Sequence, residues 1–137
     1  MATFVVFEKK HSVKIKDIDE QHQKIFDAVN ALYDATMNQK DKKVVSKLFE
    51  GLVECTVSHF ASEEKLMQKY EYPGYMSHKK EHDELKKQII DMLNGFINGS
   101  GTLSKSNLYF VKDWLYKHIV QVDLLYVDHI FYHSLGT

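Results

Sequence analysis

The stretch from His59 to His82 constrains this chain most, because it repeats one ligand-like spacing on either side of a chain reversal. His59 and Glu63 are four residues apart, and so are His78 and His82, so each pair falls on one face of a helix, one turn above the other. Between them, Pro73-Gly74 ends one helix and lets the next return alongside it. Four side chains able to bind a metal then converge between two antiparallel helices. Either pair alone says little, since histidine and glutamate are common on helix surfaces. Two pairs flanking a reversal say more, and His22, His118 and Asp123 stand where other helices can bring them in.

Apolar periodicity supplies those helices. The pattern predicts one domain over residues 1–137, with an N-terminal arm (1–16) and helices near 18–38, 42–71, 75–97 and 104–131. Asp17 is the expected N-cap of the first helix, with Glu20 completing a capping box. Phe4, Val5, Val6 and Phe7 of the arm are expected to pack over one end of the domain. Short connections make neighbouring helices antiparallel, so the predicted fold is all-α, an up-down-up-down antiparallel four-helix bundle with an N-terminal arm.

Composition excludes several functions. The 137 residues carry a net charge of −1, and all 18 basic residues are lysine. The arginine forks that commonly read guanine or phosphate are therefore missing, and nucleic acid is not an expected partner. No apolar run approaches the length of a membrane span, and Ala2 to Phe7 is too short for a signal-peptide core. With its lone Cys55, the chain is expected in the reducing cytoplasm, away from membranes.

The seams of these helices hold His22, His59, Glu63, His78, His82 and His118 where apolar residues would pack at lower cost. A buried carboxylate without partners is unfavourable, and crowded imidazoles repel if protonated. A metal resolves both, because it takes neutral nitrogens and ionised carboxylates and supplies the compensating charge. Five seam histidines with Glu63 and Asp123 are too many ligands for one tetrahedral zinc. Two metals sharing bridging carboxylates use all seven and leave one position open for a small molecule. His118 and Asp123 are five residues apart, roughly 140° beyond a full helical turn. A local widening of π type between them is therefore predicted.

The set His22, His59-x3-Glu63, His78-x3-His82 and His118-x4-Asp123 resembles hemerythrin, and more closely its single-domain microbial type. Ile18-Asp19-Glu20-Gln21 before His22, Phe60, Glu64 and Met67 around the second motif, and Trp114-Leu115 before His118 agree with it. Phe7 departs from it, standing where the family usually has tryptophan. The resemblance implies two iron ions bridged by an oxo or hydroxo group and by the two carboxylates Glu63 and Asp123. His78, His82 and His118 would hold one iron, and His22 and His59 the other. Dioxygen would bind reversibly at the open iron and be held there as hydroperoxide, for storage, delivery or scavenging. Phe60, Trp114, Leu115 and Ile119 would wall the site, and Tyr126 would donate a hydrogen bond near the bridge.

Two other classes compete with an oxygen carrier that is not an enzyme. One is a di-iron oxidase, ferroxidase or nitric-oxide-handling enzyme. Oxidative di-iron bundles use Glu-x-x-His motifs projecting inward from their helices, and this chain places none on a seam. The other is an oxygen- or redox-sensing module acting on a partner in trans. Outside the seams the expectations are ordinary. Cys55 and Met67 read as core residues, His129 and His133 as surface or capping residues, and the lysine pairs as solvated faces.

Overall fold

The computed structural model describes residues 4, 5, 7, 15–99, 103–118 and 128–130. Four helices account for most of them: α1 (Lys16–Met37), α2 (Lys42–Lys69), α3 (Tyr75–Asn98) and α4 (Lys105–Lys117). They form an all-α, up-down-up-down antiparallel bundle in which α1 packs on α2, α2 on α3 and α1 on α4. Ring contacts show the alternating sense. His22 early in α1 meets His59 late in α2, whereas Phe49 early in α2 meets Phe96 late in α3.

The interior divides along its length. At one end Val29, Leu32, Phe49, Leu52, Leu93 and Phe96 belong to the main apolar core. At the other, Ile18, Met67 and Ile130 make a smaller cluster under Tyr70, Tyr72 and Tyr75. Met67 is fully buried there, as its sequence position implies. The polar residues of the seams lie between the two clusters, so both ends of that layer are sealed with hydrocarbon.

Helix ends follow local chemistry, with two corrections to the sequence reading. Asp41 caps α2 by accepting from the Val44 amide at 3.0 Å, and Ser104 caps α4 by accepting from the Asn107 amide at 3.1 Å. Asp17 is not the N-cap: α1 starts two residues earlier than expected, with Ile15 at the N-cap and its carbonyl accepting from the Asp19 amide at 2.9 Å. Asp17 and Asp19 instead complement the positive end of α1 from within its first turn.

Nor does Pro73-Gly74 terminate α2. That helix stops at Lys69, and Glu71 takes a left-handed conformation at φ 52°. The Tyr72 amide then reaches back to the Met67 carbonyl at 2.9 Å, and the Glu71 amide to that of Gln68 at 3.2 Å. This is the double bond pattern that normally recruits glycine. α1 ends the same way through Gln39, at φ 54°. Gly74 serves close approach, since a Cβ there would come within 2.7 Å of the Tyr72 ring.

The described residues of the arm, Phe4, Val5 and Phe7, lie along α1, not over one end of the bundle. Phe4 stacks on Tyr33 at 4.1 Å, and the Val5 backbone exchanges two 2.8 Å hydrogen bonds with the Asn30 side chain. Phe7 meets Phe26 edge-on at 5.5 Å. Contacts of Phe4 with Tyr109 and Lys112 tie the arm to α4. Val6 lies outside the described residues. Asn30 decides this path, because its amide mimics a strand partner for one extended residue. His129 donates from Nε2 to the Tyr70 carbonyl at 2.8 Å and so caps the end of α2, whereas His133 is outside the described residues.

Candidate metal centre

Six of the seam residues meet in the polar layer. α1 contributes His22, α2 His59 and Glu63, and α3 His78 and His82, while His118 follows directly on α4. None is more than 4% exposed. The i, i+4 spacing delivers each pair to the same depth, and the antiparallel return after Tyr72 brings the α2 pair opposite the α3 pair.

Their donor atoms fall into two overlapping groups. One atom each from Glu63, His78, His82 and His118 lies within 4.8 Å of the others, and the same holds for His22, His59 and Glu63. Glu63 belongs to both. Its Oε1 is 3.0 Å from His59 Nε2, 3.3 Å from His82 Nε2 and 3.4 Å from His118 Nε2. The Nε2 atoms of His22 and His59 are 3.0 Å apart, and those of His82 and His118 are 3.3 Å apart. The His78 ring stands 4.5 Å from that of His82 and 5.3 Å from that of His118.

The outward nitrogens explain why the inward ones need a cation. His59 Nδ1 donates to the Gln21 side-chain carbonyl at 2.8 Å, and His82 Nδ1 donates to a Glu64 carboxylate oxygen at 3.0 Å. With Nδ1 protonated, a neutral ring presents a lone pair at Nε2. Both lone pairs then point at Glu63 Oε1, itself an acceptor. Protonating every ring instead would crowd five imidazolium charges around one buried carboxylate. Nitrogen and carboxylate donors converging in two groups fit a pair of transition-metal ions.

The outer partners carry no local spacing that marks them in the sequence. Gln21, Glu64 and Glu81 each stand next to a metal-site residue in sequence, yet each serves a histidine on a different helix. Glu81 Oε1 lies 3.9 Å from His118 Nδ1. His118, seconded by His78 and His82, holds the Glu81 carboxyl below its ordinary value against the opposing effect of partial burial. The available signal was chemical, since a histidine that ligates through one nitrogen donates from the other.

Aromatic side chains close one flank. Phe60 lies 5.2 Å from the His118 ring and 6.1 Å from Trp114, and Trp114 is 6.3 Å from His118. Leu115 is buried in the core beside them. Cys55 is half-buried and does more than fill the core: with Gln21, Lys24 and Ser58 it lines a cavity of about 310 Å³ outside His59. A larger cavity of about 660 Å³, lined by Gln88, Met92, Phe96 and Phe110 among others, touches none of the six donors.

The regular α-helix stops at Lys117, and His118 keeps right-handed helical dihedrals, φ −62° and ψ −50°; the widening predicted between His118 and Asp123 falls on residues outside the described ones. Asp123, Ile119 and Tyr126, named from the sequence as second bridge, wall and hydrogen-bond donor, lie outside the described residues.

Comparison with known proteins agrees with this geometry. A family model described as the hemerythrin HHE cation binding domain matches residues 13–130. The chain is 41% identical over 110 residues to a bacteriohemerythrin of Methylococcus capsulatus, covering 79% of this chain and 82% of that one. It is 34% identical over 121 residues to a myohemerythrin of Sipunculus nudus, covering 88% and 89%. A crystal structure of wild-type hemerythrin superposes with a TM-score of 0.85 at 33% identity, over 91% of this chain and 96% of that one.

Proposed function

This chain belongs to the hemerythrin family, and on that premise we propose that it carries dioxygen reversibly on two iron ions and does not turn it over. His78, His82 and His118 would hold one iron, and His22 and His59 the other. Glu63 and Asp123 would be the carboxylates shared between them. The observation that carries this reading is the pair of buried donor groups sharing Glu63. When bound, the iron pair supplies two electrons to dioxygen and recovers them on release.

The protein's own part is to keep that exchange reversible. Phe60 and Trp114 exclude water from the histidine-rich side, and the apolar clusters seal the layer from both ends. Gln21 and Glu64 hold a proton on Nδ1 of His59 and His82, which keeps both Nε2 atoms available as donors. Leu115 and Ile119 would extend the apolar wall, and Tyr126 would donate a hydrogen bond at the site. No helix of the described residues is long and apolar enough to cross a membrane. The free thiol of Cys55 suits a reducing compartment, and we place the protein in the cytoplasm.

Iron content and visible absorption of the purified protein, recorded anaerobically, in air and after oxygen is removed again, test the proposal. Two irons per chain and an absorption that appears with oxygen and vanishes on its removal are expected. Absorption that decays irreversibly while an added reductant is consumed would favour an oxidase instead.

A further inference from the structure

The partners behind His59, His82 and His118 are unequal, and the inequality follows the division into two donor groups. Glu64 Oε2, a carboxylate oxygen, accepts from His82 Nδ1 at 3.0 Å, on a side chain only 15% exposed. A second carboxylate, Glu81, stands 3.9 Å behind His118 on the same half. Behind His59 the equivalent position is filled by the neutral amide of Gln21, at 2.8 Å. Both arrangements orient a ring and fix its tautomer. Only the carboxylates add negative charge, and an anion accepting the Nδ1 proton makes the opposite nitrogen a stronger donor.

Given the di-iron reading above, on which this step rests, we propose that Glu64 is a positioning residue that makes the three-histidine half the tighter site, so that it fills before the two-histidine half. Three features act in the same direction there. The half has one more imidazole, its His82 ring is locked by a charge-assisted hydrogen bond, and its outer carboxylates offset the charge of the arriving cation. The two-histidine half has one fewer nitrogen, and its His59 has an uncharged partner. Loading is therefore ordered, and its order is set by residues that never touch the metal.

The near-isosteric pair Glu/Gln gives a reciprocal test. Metal-free protein is titrated anaerobically with cobalt(II) chloride alone, followed by calorimetry and by the visible bands of the bound ion. Wild type is expected to bind two equivalents in resolved steps. Glu64→Gln keeps the shape and removes the charge, and should weaken the first step about 10-fold or more while leaving the second within a few-fold. Gln21→Glu places a carboxylate behind His59 and should tighten the second step, drawing the two together. Nitrogen-15 spectra of the metal-free protein should show His82 protonated on Nδ1 in wild type, and a mixture of tautomers in Glu64→Leu.

Equal weakening of both steps in Glu64→Gln, or no change in either, would overturn the assignment. Should Glu64→Gln fail to fold, Gln21→Glu decides alone, and an unaltered second step would reject the idea. Wild type that binds fewer than two cobalt ions would be a different failure. It would remove the di-iron reading itself, and this inference with it.

Discussion

Phe60 lies flat against His82, with ring centroids 3.9 Å apart and planes within 6° of parallel. The imidazole is thus held on its face by a phenyl ring and on its edge by Glu64, which leaves Nε2 one direction in which to point. Phe60 is completely buried and also contacts the His59 and His118 rings. One apolar side chain therefore touches ligands assigned to both irons.

Replacing Phe60 with alanine should cost about 3–5 kcal/mol of stability, from lost burial and the cavity left behind. The larger effect should be on lifetime. Water reaching the ligand layer is expected to shorten the life of the oxygenated form well beyond what Phe60→Leu does, since leucine keeps the wall apolar. Thermal melts and the decay of the oxygenated absorption band in both variants measure the two effects separately. Equal decay rates in wild type and Phe60→Ala would place the water barrier elsewhere.

Glu63 is the one described residue common to both donor groups. Glu63→Ala should consequently lower bound iron well below two per chain and abolish the wild-type absorption, whereas loss of a single-group ligand such as His22 should leave the other group able to hold metal. Metal analysis by mass spectrometry after desalting reads the stoichiometry directly. Two retained irons with an unchanged spectrum would show that Glu63 is not a bridge.

Removing the metal should destabilise the protein strongly. A ligand present at 100 times its dissociation constant contributes about 2.7 kcal/mol to the folded state, which for a domain of this size moves the melting midpoint by about 10 °C. Scanning calorimetry of chelator-treated and iron-loaded samples is expected to show at least that difference, with recovery on adding iron back. Coincident midpoints would make these histidines mere core residues.

Gln39 takes a left-handed backbone that non-glycine residues adopt at a cost of roughly 1–2 kcal/mol. It is exposed, and it lies at the apolar end of the bundle, away from the metal layer. Gln39→Gly should stabilise the protein by roughly 0.5–1 kcal/mol, because glycine's larger freedom in the unfolded chain takes back part of the gain. Urea denaturation should show a higher midpoint with unchanged slope. A lower midpoint would mean that the Gln39 side chain makes an interaction worth more than the strain.

The bundle and its converging histidines were legible because both rest on short-range regularities. A spacing of four fixes which face a residue occupies whatever the helix packs against, so His59 with Glu63 and His78 with His82 announce themselves. Features that depend on how helices cross did not show. Gln21 reaches His59 across 38 positions and Glu64 reaches His82 across 18, and no local pattern links such pairs. The helix ends at Gln39 and Glu71 were hidden for the opposite reason, since the chain uses a glycine-type turn without glycine. Asp17 had every mark of a cap, but the backbone had already closed its first turn from Ile15. The arm's course depends on the single side chain of Asn30, which from its position could equally have faced water.

The lengthwise division of the interior separates two stages in the life of the molecule. The end built on Phe49, Leu52, Leu93 and Phe96 is cohesive without any ion, so it can form as soon as the helices are made. The layer holding the ligands, between that end and the small cluster of Ile18, Met67 and Ile130, faces its own electrostatic repulsion until metal arrives, and belongs to the class of regions that open locally while the rest stays folded. In metal-free protein, backbone amides around Val29 and Phe49 should then resist hydrogen exchange while those around His22 and Glu63 exchange freely. Such a molecule can wait, half assembled, with its docking layer breathing, and iron enters a protein already folded enough to receive it.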